Sequence, residues 1–542
     1  MTVSYSYKLD GAAGPAWAPK VDVSPRAGAL PSTAVIAVLG SGSMGQGIAQ
    51  IAVLAGHPVQ WFNRSRERLE AGVDSVRARL TRLAEKGLLT AEQAREAGQR
   101  LHPVSELAGL AKAELVIESV AEDLELKQRL FAELEAVLAP GAILSTNTSS
   151  LSINRLASKL KHPERFLGLH FFNPAPLMKL VEVVPGMRTE GAVTDRAVAT
   201  LQAWGKTPVT CRPSPGFIVN RVARPFYTEA LRLLDEGNAD PAVIDSVLTG
   251  SGGFAMGPLA LTDLIGQDVN AEVTRQIWNA FGHDARFTPS LTQQALVEAG
   301  LLGRKTGRGF FTYEGSSGLR AVSGAEVSSS QRPSRVTLHG SLGPANPVVE
   351  VLRNKGVEVE SRPLAAHEGG PDGLGFLELP GGVAVTVTDG RTAYLRARAL
   401  GRPVVVFDLA LDYRAVKHLA VAPSHDVQAE QLEQALALIG VFAGRTAVFR
   451  DSPGLVVART VCMLINEATD VVAQGVCSAE AVEIAMRLAV NYPVGLLHWG
   501  DSVGAPWVCT VLDHLATILP PTRYRVAPAL RAAAITGKKL LA

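Results

Sequence analysis

Hydrophobic and polar positions in the N-terminal part of the chain follow a strand–helix–strand order. Residues 34–39 (AVIAVL) form a short apolar run rich in β-branched side chains, which is typical of a buried parallel strand. The segment QGIAQIAVLAG then carries apolar residues at helical spacing up to Gly56, and VQWF predicts a second strand. Apolar runs at 114–120, 142–150 and 165–174 predict further strands, with a helix over LKQRLFAELEAVL. We therefore predict an α/β Rossmann domain over residues 32–213.

A glycine-rich loop, GSGSMG at residues 40–45, joins the first strand to the first helix. In such a unit Gly40 permits a tight turn, Gly42 lets the backbone approach a pyrophosphate, and Gly45 lets helix and strand pack closely. The helix N-terminus also offers free N–H groups and the positive end of its dipole. The predicted dinucleotide contacts are Gly40, Gly42, Ser43, Met44 and Gly45.

The ribose end of this site is less usual. The second strand ends in Asn63-Arg64-Ser65-Arg66, where NAD sites normally place an Asp or Glu that holds the ribose diol. A neutral Asn63 followed by Arg64 would not repel a 2′-phosphate and could pair with one. Alternatively, this is a solvated loop whose Asn63 amide still bonds the ribose. We expect NAD as the cofactor, and the sequence leaves NADP open.

Polar residues stand at the carboxyl ends of other predicted strands, where ligands of open α/β sheets bind. These residues are Asn147, Ser149, His170 and Asn173. An isolated histidine is more often structural than catalytic, and a serine at such a place can simply cap the next helix. The surrounding motifs decide between these interpretations.

Five collinear motifs between about residues 34 and 313 closely resemble the 3-hydroxyacyl-CoA dehydrogenase family. They are TNTSSLSI, GLHFFNPAPLMKLVEVVPG, SPGFIVNRVARPFYTEA, MGPLALTDLIGQD and GLLGRKTGRGFFTY. The resemblance implies NAD-dependent oxidation of an L-3-hydroxyacyl-CoA to the 3-oxoacyl-CoA, and an all-α domain over 214–313. The double-length chain is most similar to bacterial members that act on 3-hydroxyadipyl-CoA or 3-hydroxybutyryl-CoA.

The resemblance also implies roles for individual side chains. His170 would be the base for the C3 hydroxyl proton, and Glu182 would orient and stabilise its imidazole. Ser149 and Asn220 would hold the substrate oxygen during hydride transfer. The further cofactor-site residues that we expect, from the resemblance or from their position at strand ends, are Glu122, Lys127, Asn147, Asn173 and Lys305.

The substrate side of the site is harder to predict. Arg77, Arg79 and Arg82 fall in the region that forms a helical hairpin near CoA in the family, so they could meet its phosphates. A solvated helix face is the plainer interpretation for each of them. A dicarboxylic acyl group would need a cation at the far end of its pocket, and no residue can be assigned to that role from the sequence.

The second half of the chain repeats the first. SPGLVVARTVCMLINEATDVVAQG begins at Ser452 and matches, without gaps, the segment SPGFIVNRVARPFYTEALRLLDEG that begins 238 positions earlier at Ser214. The same separation relates Arg221 to Arg459, Glu229 to Glu467, Gly237 to Gly475, Gly257 to Gly495, Asp263 to Asp501 and Gly266 to Gly504. Asn220 corresponds to Ala458, which has no hydrogen-bonding side chain. We predict a second, non-catalytic all-α domain over 451–542.

Between the copies, residues 335–363 have the pattern strand, glycine turn, helix, strand. Leu342 stands where GxGxxG would have its second glycine, and its bulk would obstruct a pyrophosphate. Only 112 residues separate Gly340 from Ser452, against 174 between Gly40 and Ser214. RPVVVFDLA (402–410) still predicts a buried strand. We expect an eroded Rossmann-like domain over 335–450 without cofactor or catalysis, a linker at 314–334 and a flexible tail at 1–31.

Composition narrows the class of protein. The 542 residues are 47% hydrophobic and 19% charged, as in an ordinary multi-domain globular protein, and a net charge of +2 favours neither nucleic acid nor a membrane surface. Four cysteines lack CxxC pairing, and no apolar run is long enough to span a membrane. We predict a cytoplasmic enzyme that needs no metal and whose partner is an acyl-CoA thioester.

The duplication also predicts an assembly. Single-length members of the family dimerise through the all-α domain, so a fused second copy could replace that contact within one chain, as an intramolecular pseudo-dimer. A homodimer of the whole chain stays open.

Two other functions stay open at this point. An NADP-linked β-hydroxyacid dehydrogenase would need a lysine where this chain has Asn220-Arg221. A non-catalytic nucleotide-binding scaffold suits the second half, but it suits the first half poorly because Ser149, His170 and Glu182 occur there together with Asn220.

Overall fold

The computed structural model describes residues 28–313, 332–364 and 373–541. Residues 1–27 of the predicted tail and 314–331 of the predicted linker lie outside this range. Leu30 departs from the predicted flexible tail. Leu30 is buried, and its N–H donates a hydrogen bond to Thr200 Oγ1 at 3.1 Å. The Leu30 side chain therefore belongs to the hydrophobic core around the first strands.

Eight strands form the first sheet: β1 Ile36–Leu39, β2 Val59–Phe62, β3 Leu101–Val104, β4 Leu115–Glu118, β5 Ile143–Thr146, β6 Phe166–Phe171, β7 Leu180–Pro185 and β8 Thr207–Thr210. Their order is β3-β2-β1-β4-β5-β6-β7-β8. The first six strands are parallel, β7 is antiparallel to β6, and β8 is parallel to β7. Strands β2 and β3 lie on one side of β1, and β4 and the later strands lie on the other. This reversal of strand order opens a ligand crevice at the carboxyl ends of β1 and β4.

Helices cover the first sheet: α1 Ser43–Leu54, α2 Arg66–Glu85, α3 Ala91–Gln99, α4 Leu124–Val137, α5 Ile153–Ala157 and α6 Gly191–Ala203. All four residues of β1 are buried, as expected of an apolar strand with helices on both faces. Helices α2 and α3 pack against each other as a hairpin.

A group of helices follows the first sheet: α7 Val219–Val222, α8 Arg224–Asp235, α9 Pro241–Gly250, α10 Pro258–Ile265, α11 Gln267–Ala280 and α12 Leu291–Glu298. Helix α8 is buried along most of its length, including Phe226, Ala230 and Leu231.

Seven strands form the second sheet: β9 Arg335–His339, β10 Glu358–Arg362, β11 Phe376–Glu378, β12 Ala384–Val387, β13 Val404–Phe407, β14 Val416–Pro423 and β15 Ala443–Val448. Their order is β10-β9-β11-β12-β13-β14-β15, and its helices are α13 Pro347–Asn354, α14 Ala393–Leu400 and α15 Ala429–Ile439. Strand β11 is antiparallel to both β9 and β12, so the sheet lacks the parallel β1–β4 neighbourhood of the first sheet. Leu342 is fully buried beside β9.

The duplication extends into the second sheet. Strand β13 pairs with β14 in the same antiparallel register as β6 with β7. Leu167 lies opposite Pro185 in the first sheet, and Val405 lies opposite Pro423 in the second. Members of the two pairs are again 238 positions apart. The second copy is therefore shorter than the first in the segment before β13.

A second group of helices ends the described chain: α16 Val457–Ala473, α17 Ala479–Val490, α18 Leu496–Val503, α19 Ala505–Ile518 and α20 Pro528–Thr536. Helix α16 is buried from Val457 to Val471 and packs against α8 of the first group. A helix buried all round lies at the centre of a bundle. Of the helices in the described ranges, none is both long and apolar enough to cross a membrane.

Candidate active site

A cavity of about 480 Å³ opens at the carboxyl ends of the central strands of the first sheet. The glycine loop lines one side of it, and the residues after β2 and β4 line the other. The lining residues are Gly40, Ser41, Gly42, Ser43, Met44, Phe62, Asn63, Arg64, Arg68, Ser119, Val120, Ala121, Leu126 and Leu130. Residues of the glycine loop and of the segment after β2, which the sequence analysis assigns to the pyrophosphate and the ribose, thus line one cavity.

Each glycine of the loop has a distinct surrounding. Gly40 has φ +99°, and a Cβ there would lie 2.3 Å from the carbonyl oxygen of Ser119. A Cβ on Gly45 would lie 2.1 Å from the carbonyl oxygen of Gly40, so Gly45 serves packing and does not line the cavity. No atom lies within 4 Å of a Cβ built on Gly42. The open space at Gly42, at the N-terminus of α1, fits a dinucleotide pyrophosphate.

The ribose end of the cavity carries cations. Asn63 Nδ2 donates to Ser41 Oγ at 2.6 Å, and Asn63 Oδ1 accepts from the N–H of Ser65 at 2.9 Å. Arg64, which the sequence interpretation assigns to the cofactor site, lines the cavity, and so does Arg68, which that interpretation missed. Arg68 lies on the first turn of α2, and its position in the basic run that begins at Arg64 was the available signal. Among the described residues that line the cavity, none is acidic.

His170 and Glu182 lie directly opposite each other on the antiparallel strands β6 and β7. His170 Nδ1 is 2.6 Å from Glu182 Oε2, and both side chains are buried. Glu182 Oε1 accepts the N–H groups of Ile218 and Val219, both at 2.9 Å. Because Nδ1 is engaged by the carboxylate, Nε2 is the nitrogen that remains for a substrate proton.

Asn220 stands on α7, immediately after the two N–H groups that Glu182 accepts. Its Nδ2 donates to the carbonyl oxygen of Ser149 at 3.4 Å. One carboxylate thus orients the imidazole and fixes the helix start that presents the amide. The structure therefore brings together the four residues that the resemblance assigns to the substrate oxygen and its proton.

Glu122 holds the loop that carries Ser149. Its Oε1 accepts from Thr148 Oγ1 at 2.5 Å and from the N–H of Ser149 at 3.0 Å. Its Oε2 pairs with Lys127 Nζ at 2.9 Å. Burial alone would raise the pKa of Glu122, but Lys127 and these hydrogen bonds hold it below its usual value.

Glu118 was missed by the sequence interpretation. It is fully buried at the end of β4, 3.0 Å from Lys127 Nζ, and accepts from Thr146 Oγ1 at 2.6 Å. A carboxylate closing the apolar run ELVIE was the signal for it. Lys127 therefore bridges the buried Glu118 and the partly exposed Glu122, and this network supports the Ser149 loop.

The remaining residues that were predicted for the cofactor site have different surroundings. Asn147 Oδ1 accepts the N–H of Phe171 at 2.8 Å and so ties the end of β5 to β6. Asn173 is exposed, next to the cis peptide bond with Pro174. Lys305 is exposed and pairs with Asp268 on α11 at 2.5 Å. Among the described residues, this is its only ion pair, and it does not line the cavity.

The basic residues of α2 also differ from one another. Arg79 is half-buried, and its Nη2 donates to Gln46 Oε1 on α1 at 2.7 Å. Arg77 and Arg82 are exposed, which agrees with the solvated-face interpretation for these two.

Comparison with known proteins agrees with this geometry. The model of the 3-hydroxyacyl-CoA dehydrogenase NAD binding domain matches residues 35–214. The model of the family's C-terminal domain matches twice, at 216–313 and 454–539. The 3-hydroxyadipyl-CoA dehydrogenase of Escherichia coli K12 is 42% identical over 501 residues, which cover 92% of this chain and 97% of that protein. The chain belongs to the 3-hydroxyacyl-CoA dehydrogenase family.

Other relatives are of two lengths. The 3-hydroxybutyryl-CoA dehydrogenase of Bradyrhizobium diazoefficiens is 39% identical over 281 residues, which are 52% of this chain and 96% of that protein. A crystal structure of 3-hydroxybutyryl-CoA dehydrogenase from Escherichia coli K12 superposes with a TM-score of 0.83 at 42% identity, covering 93% of this chain and 98% of that one. The family therefore contains members of single and of double length.

The second half of this dehydrogenase lacks the equivalent residues. Residues 385–453 match the model of a 3-hydroxybutyryl-CoA dehydrogenase reduced Rossmann-fold domain. By the register of 238 positions, Asp408 stands at the place of His170 and Ala420 at the place of Glu182. Asp408 accepts the N–H groups of Val456, Val457 and Ala458 at 2.7–3.0 Å. The copy has kept a carboxylate that holds the helix start and has lost the imidazole.

Proposed function

We propose that this chain oxidises L-3-hydroxyacyl-CoA thioesters to 3-oxoacyl-CoA thioesters with NAD. The observation that carries the proposal is the Glu182 carboxylate, one oxygen of which meets His170 Nδ1 while the other holds the start of the helix that presents Asn220. A base, its orienting carboxylate and an oxygen-binding amide are thereby fixed relative to one another.

Each residue then has one task. His170 Nε2 takes the proton from the C3 hydroxyl, and Glu182 stabilises the imidazolium that results. Asn220 and Ser149 bind the C3 oxygen as it becomes a carbonyl. The Glu118–Lys127–Glu122 network keeps the Ser149 loop in place. When bound at the glycine loop, NAD supplies the acceptor for the C3 hydride.

The relatives suggest the substrate class. One double-length relative carries the name 3-hydroxyadipyl-CoA dehydrogenase, and single-length relatives carry the name 3-hydroxybutyryl-CoA dehydrogenase. We propose that this chain accepts short acyl groups of both kinds, one ending in a methyl group and one in a carboxylate.

For the architecture, we propose a catalytic unit of a Rossmann domain (32–213) and an all-α domain (214–313). A degenerate Rossmann-like domain (335–450) and a non-catalytic all-α domain (451–542) follow it. The reciprocal ion pairs between α7–α8 and α16 support an intramolecular pseudo-dimer of the all-α domains. All four cysteines are buried and free, which suits the reducing cytoplasm.

Initial rates test the proposed reaction. The enzyme should reduce acetoacetyl-CoA with NADH, and free acetoacetate should serve as the matched control because it lacks the thioester. Turnover of the free acid alone would support a β-hydroxyacid dehydrogenase instead. The absence of any rate with acyl-CoA thioesters of four and six carbons, with either NADH or NADPH, would overturn the proposal.

A further inference from the structure

Arg224 is a buried guanidinium without a carboxylate partner, one helical turn beyond Asn220. Its exposed fraction is 2%. Its Nε donates to the carbonyl oxygen of Asn220 at 3.0 Å, and its Nη1 donates to Thr274 Oγ1 at 2.8 Å. Within the described residues, Nη2 has no acceptor and no Asp or Glu pairs with the group. Burial lowers the pKa of Arg224, with only Tyr227 and Tyr492 acting against it.

Neighbouring buried arginines of the helical interface are different. Arg221 pairs with Glu467 at 2.6 Å, Arg459 with Glu229 at 2.9 Å, and Arg523 with Glu229 at 2.7 Å. A buried charge normally requires such a partner because leaving water costs it much of its solvation free energy. Among the described residues, Arg224 has no such carboxylate, and the Tyr227 ring, whose centroid lies 4.8 Å from its Cζ, gives the charge a weaker cation–π contact.

The non-catalytic copy shows that the helical scaffold does not need this arginine. At a separation of 238 positions, Arg224 corresponds to Cys462 and Thr274 corresponds to Leu512. Both replacements are fully buried. The first copy thus has the polar pair Arg224 and Thr274 where the second copy has Cys462 and Leu512. Asn220, one helical turn before Arg224, corresponds to Ala458. The polar pair accompanies the active site rather than the fold.

We propose that Arg224, assisted by Thr274, binds the terminal carboxylate of a dicarboxylic 3-hydroxyacyl-CoA. This inference rests on the proposed function, in which the Asn220 amide holds the C3 oxygen. A guanidinium binds a carboxylate through paired N–H groups, and the free Nη2 is available for that contact. Arg224 would then determine specificity without taking part in the proton or hydride transfer.

The dimensions agree with a six-carbon diacid. Asn220 on α7 and Arg224 on α8 are joined through Ala223, whose backbone is helical (φ −77°, ψ −9°), so the two residues keep the spacing of residues four apart on a helix, a rise of about 6 Å on one face. In a 3-hydroxyadipyl group the terminal carboxylate carbon lies three bonds of about 1.5 Å beyond C3, so its oxygens lie about 5 Å away. A substrate oxygen at Asn220 therefore leaves the carboxylate within reach of the guanidinium. A methyl-ended chain of the same length would leave the buried charge without a carboxylate.

Two substrates of equal length test this inference. Values of kcat/KM for 3-hydroxyadipyl-CoA and for 3-hydroxyhexanoyl-CoA should be measured for wild type, Arg224→Met and Arg224→Lys. Wild type should prefer the diacid, and Arg224→Met should lower the diacid-to-hexanoyl ratio by about 10- to 100-fold, mainly through KM. Arg224→Lys should restore part of the ratio because it keeps a cation. Arg165→Met is the matched control, since Arg165 is also buried and bonds a carbonyl oxygen, that of Ala139.

The outcomes separate the two proposals. An equal loss of kcat/KM for both substrates in Arg224→Met, or a wild type that does not prefer the diacid, would overturn the role of Arg224. In either case, turnover of acetoacetyl-CoA by wild type would still support the proposed dehydrogenase reaction. Failure of wild type with every thioester would instead reject the proposed function. If Arg224→Met does not fold, the diacid-to-hexanoyl ratios of wild type and of Arg224→Lys still decide. An Arg224→Lys variant with the wild-type ratio and the wild-type KM for the diacid would contradict bidentate binding by Arg224.

Discussion

Arg459 and Glu229 form a buried ion pair, with Arg459 Nε 2.9 Å from Glu229 Oε2. The residues 238 positions away from them, Arg221 and Glu467, form the mirror pair at 2.6 Å. Each arginine belongs to one copy of the helical domain and its glutamate belongs to the other. The same contact is therefore made twice, as at the interface of an isologous dimer, and this supports the proposed intramolecular pseudo-dimer.

Loss of one of these carboxylates should destabilise the whole chain. Glu229 accepts from Arg459, Arg523 and Tyr524 in a buried site. Glu229→Gln should lower the free energy of unfolding at pH 7 by about 3–5 kcal/mol, because it leaves the buried Arg523 without a carboxylate and Arg459 with Glu236 as its carboxylate partner. The urea midpoint measures this change. Glu272→Gln is the control, since its ion pair with Arg275 is exposed and should contribute less than about 1 kcal/mol.

The same variant has a defined pH dependence. Burial raises the pKa of Glu229, but Arg523 and Arg459 outweigh it and lower the pKa to about 2. A carboxyl group with a lowered pKa stabilises the fold above its unfolded pKa of about 4.3, and this contribution is lost as the pH falls towards 2. The difference between wild type and Glu229→Gln should therefore shrink between pH 4.5 and pH 2.5. A constant difference over that range would contradict the charged pairing.

A chain that ends at residue 313 should dimerise. Removing the second half exposes the buried face of α8, including Phe226 and Leu231, and leaves Arg221 without Glu467. A second fragment can supply Glu229 in place of Glu467, because the two glutamates are equivalent in the duplication. Sedimentation velocity should show a dimer that Glu229→Gln weakens. A stable, monomeric and fully active fragment would rule out the pseudo-dimer.

His170→Gln should remove turnover without removing cofactor binding. Loss of a general base lowers kcat by about 10²- to 10⁴-fold. The NADH dissociation constant, measured by fluorescence titration, should change less than about twofold, because His170 does not line the cavity of the glycine loop. His162→Gln is the control, since His162 is exposed beside Glu164. Retention of most activity in His170→Gln would show that another group is the base.

Alanine at two glycines of one loop should have opposite consequences. A Cβ at Gly42 meets no protein atom within 4 Å but enters the cavity, whereas a Cβ at Gly45 meets the carbonyl oxygen of Gly40 at 2.1 Å. Gly42→Ala should keep the wild-type melting temperature and weaken NADH binding by at least about tenfold. Gly45→Ala should lower the melting temperature. Equal effects of the two variants on stability would contradict this assignment.

The ribose end should decide between NADH and NADPH. Asn63→Asp should raise the NADH-to-NADPH ratio of kcat/KM by about tenfold or more, because a carboxylate binds the ribose diol and repels a 2′-phosphate. Arg68→Ala should lower the rate with NADPH more than that with NADH, since Arg68 lines the cavity. Arg66→Ala is the control, because Arg66 pairs with Glu70 on the exposed face of α2. Unchanged ratios in Asn63→Asp and Arg68→Ala would exclude both residues from cofactor selection.

The sequence by itself determined the local units and the family. The run AVIAVL, the loop GSGSMG and the following helical pattern fix β1, the turn and α1, because strand and helix periodicities and glycine backbone freedom act within a few residues. The motifs around His170 and Asn220 identified the dehydrogenase, and the register of 238 positions exposed the loss of Asn220 in the copy. These conclusions need only the order of residues.

Only the tertiary structure decided which partner each polar group has. Glu182 reaches N–H groups at the start of α7, Lys305 pairs with Asp268 and does not line the cavity, Leu30 is buried against the first sheet, and Arg224 has no carboxylate among the described residues. The physical reason is that an ion pair or hydrogen bond depends on distances of about 3 Å between groups far apart in the chain. Sequence patterns place such groups on elements, and only the packing of those elements brings them together or keeps them apart.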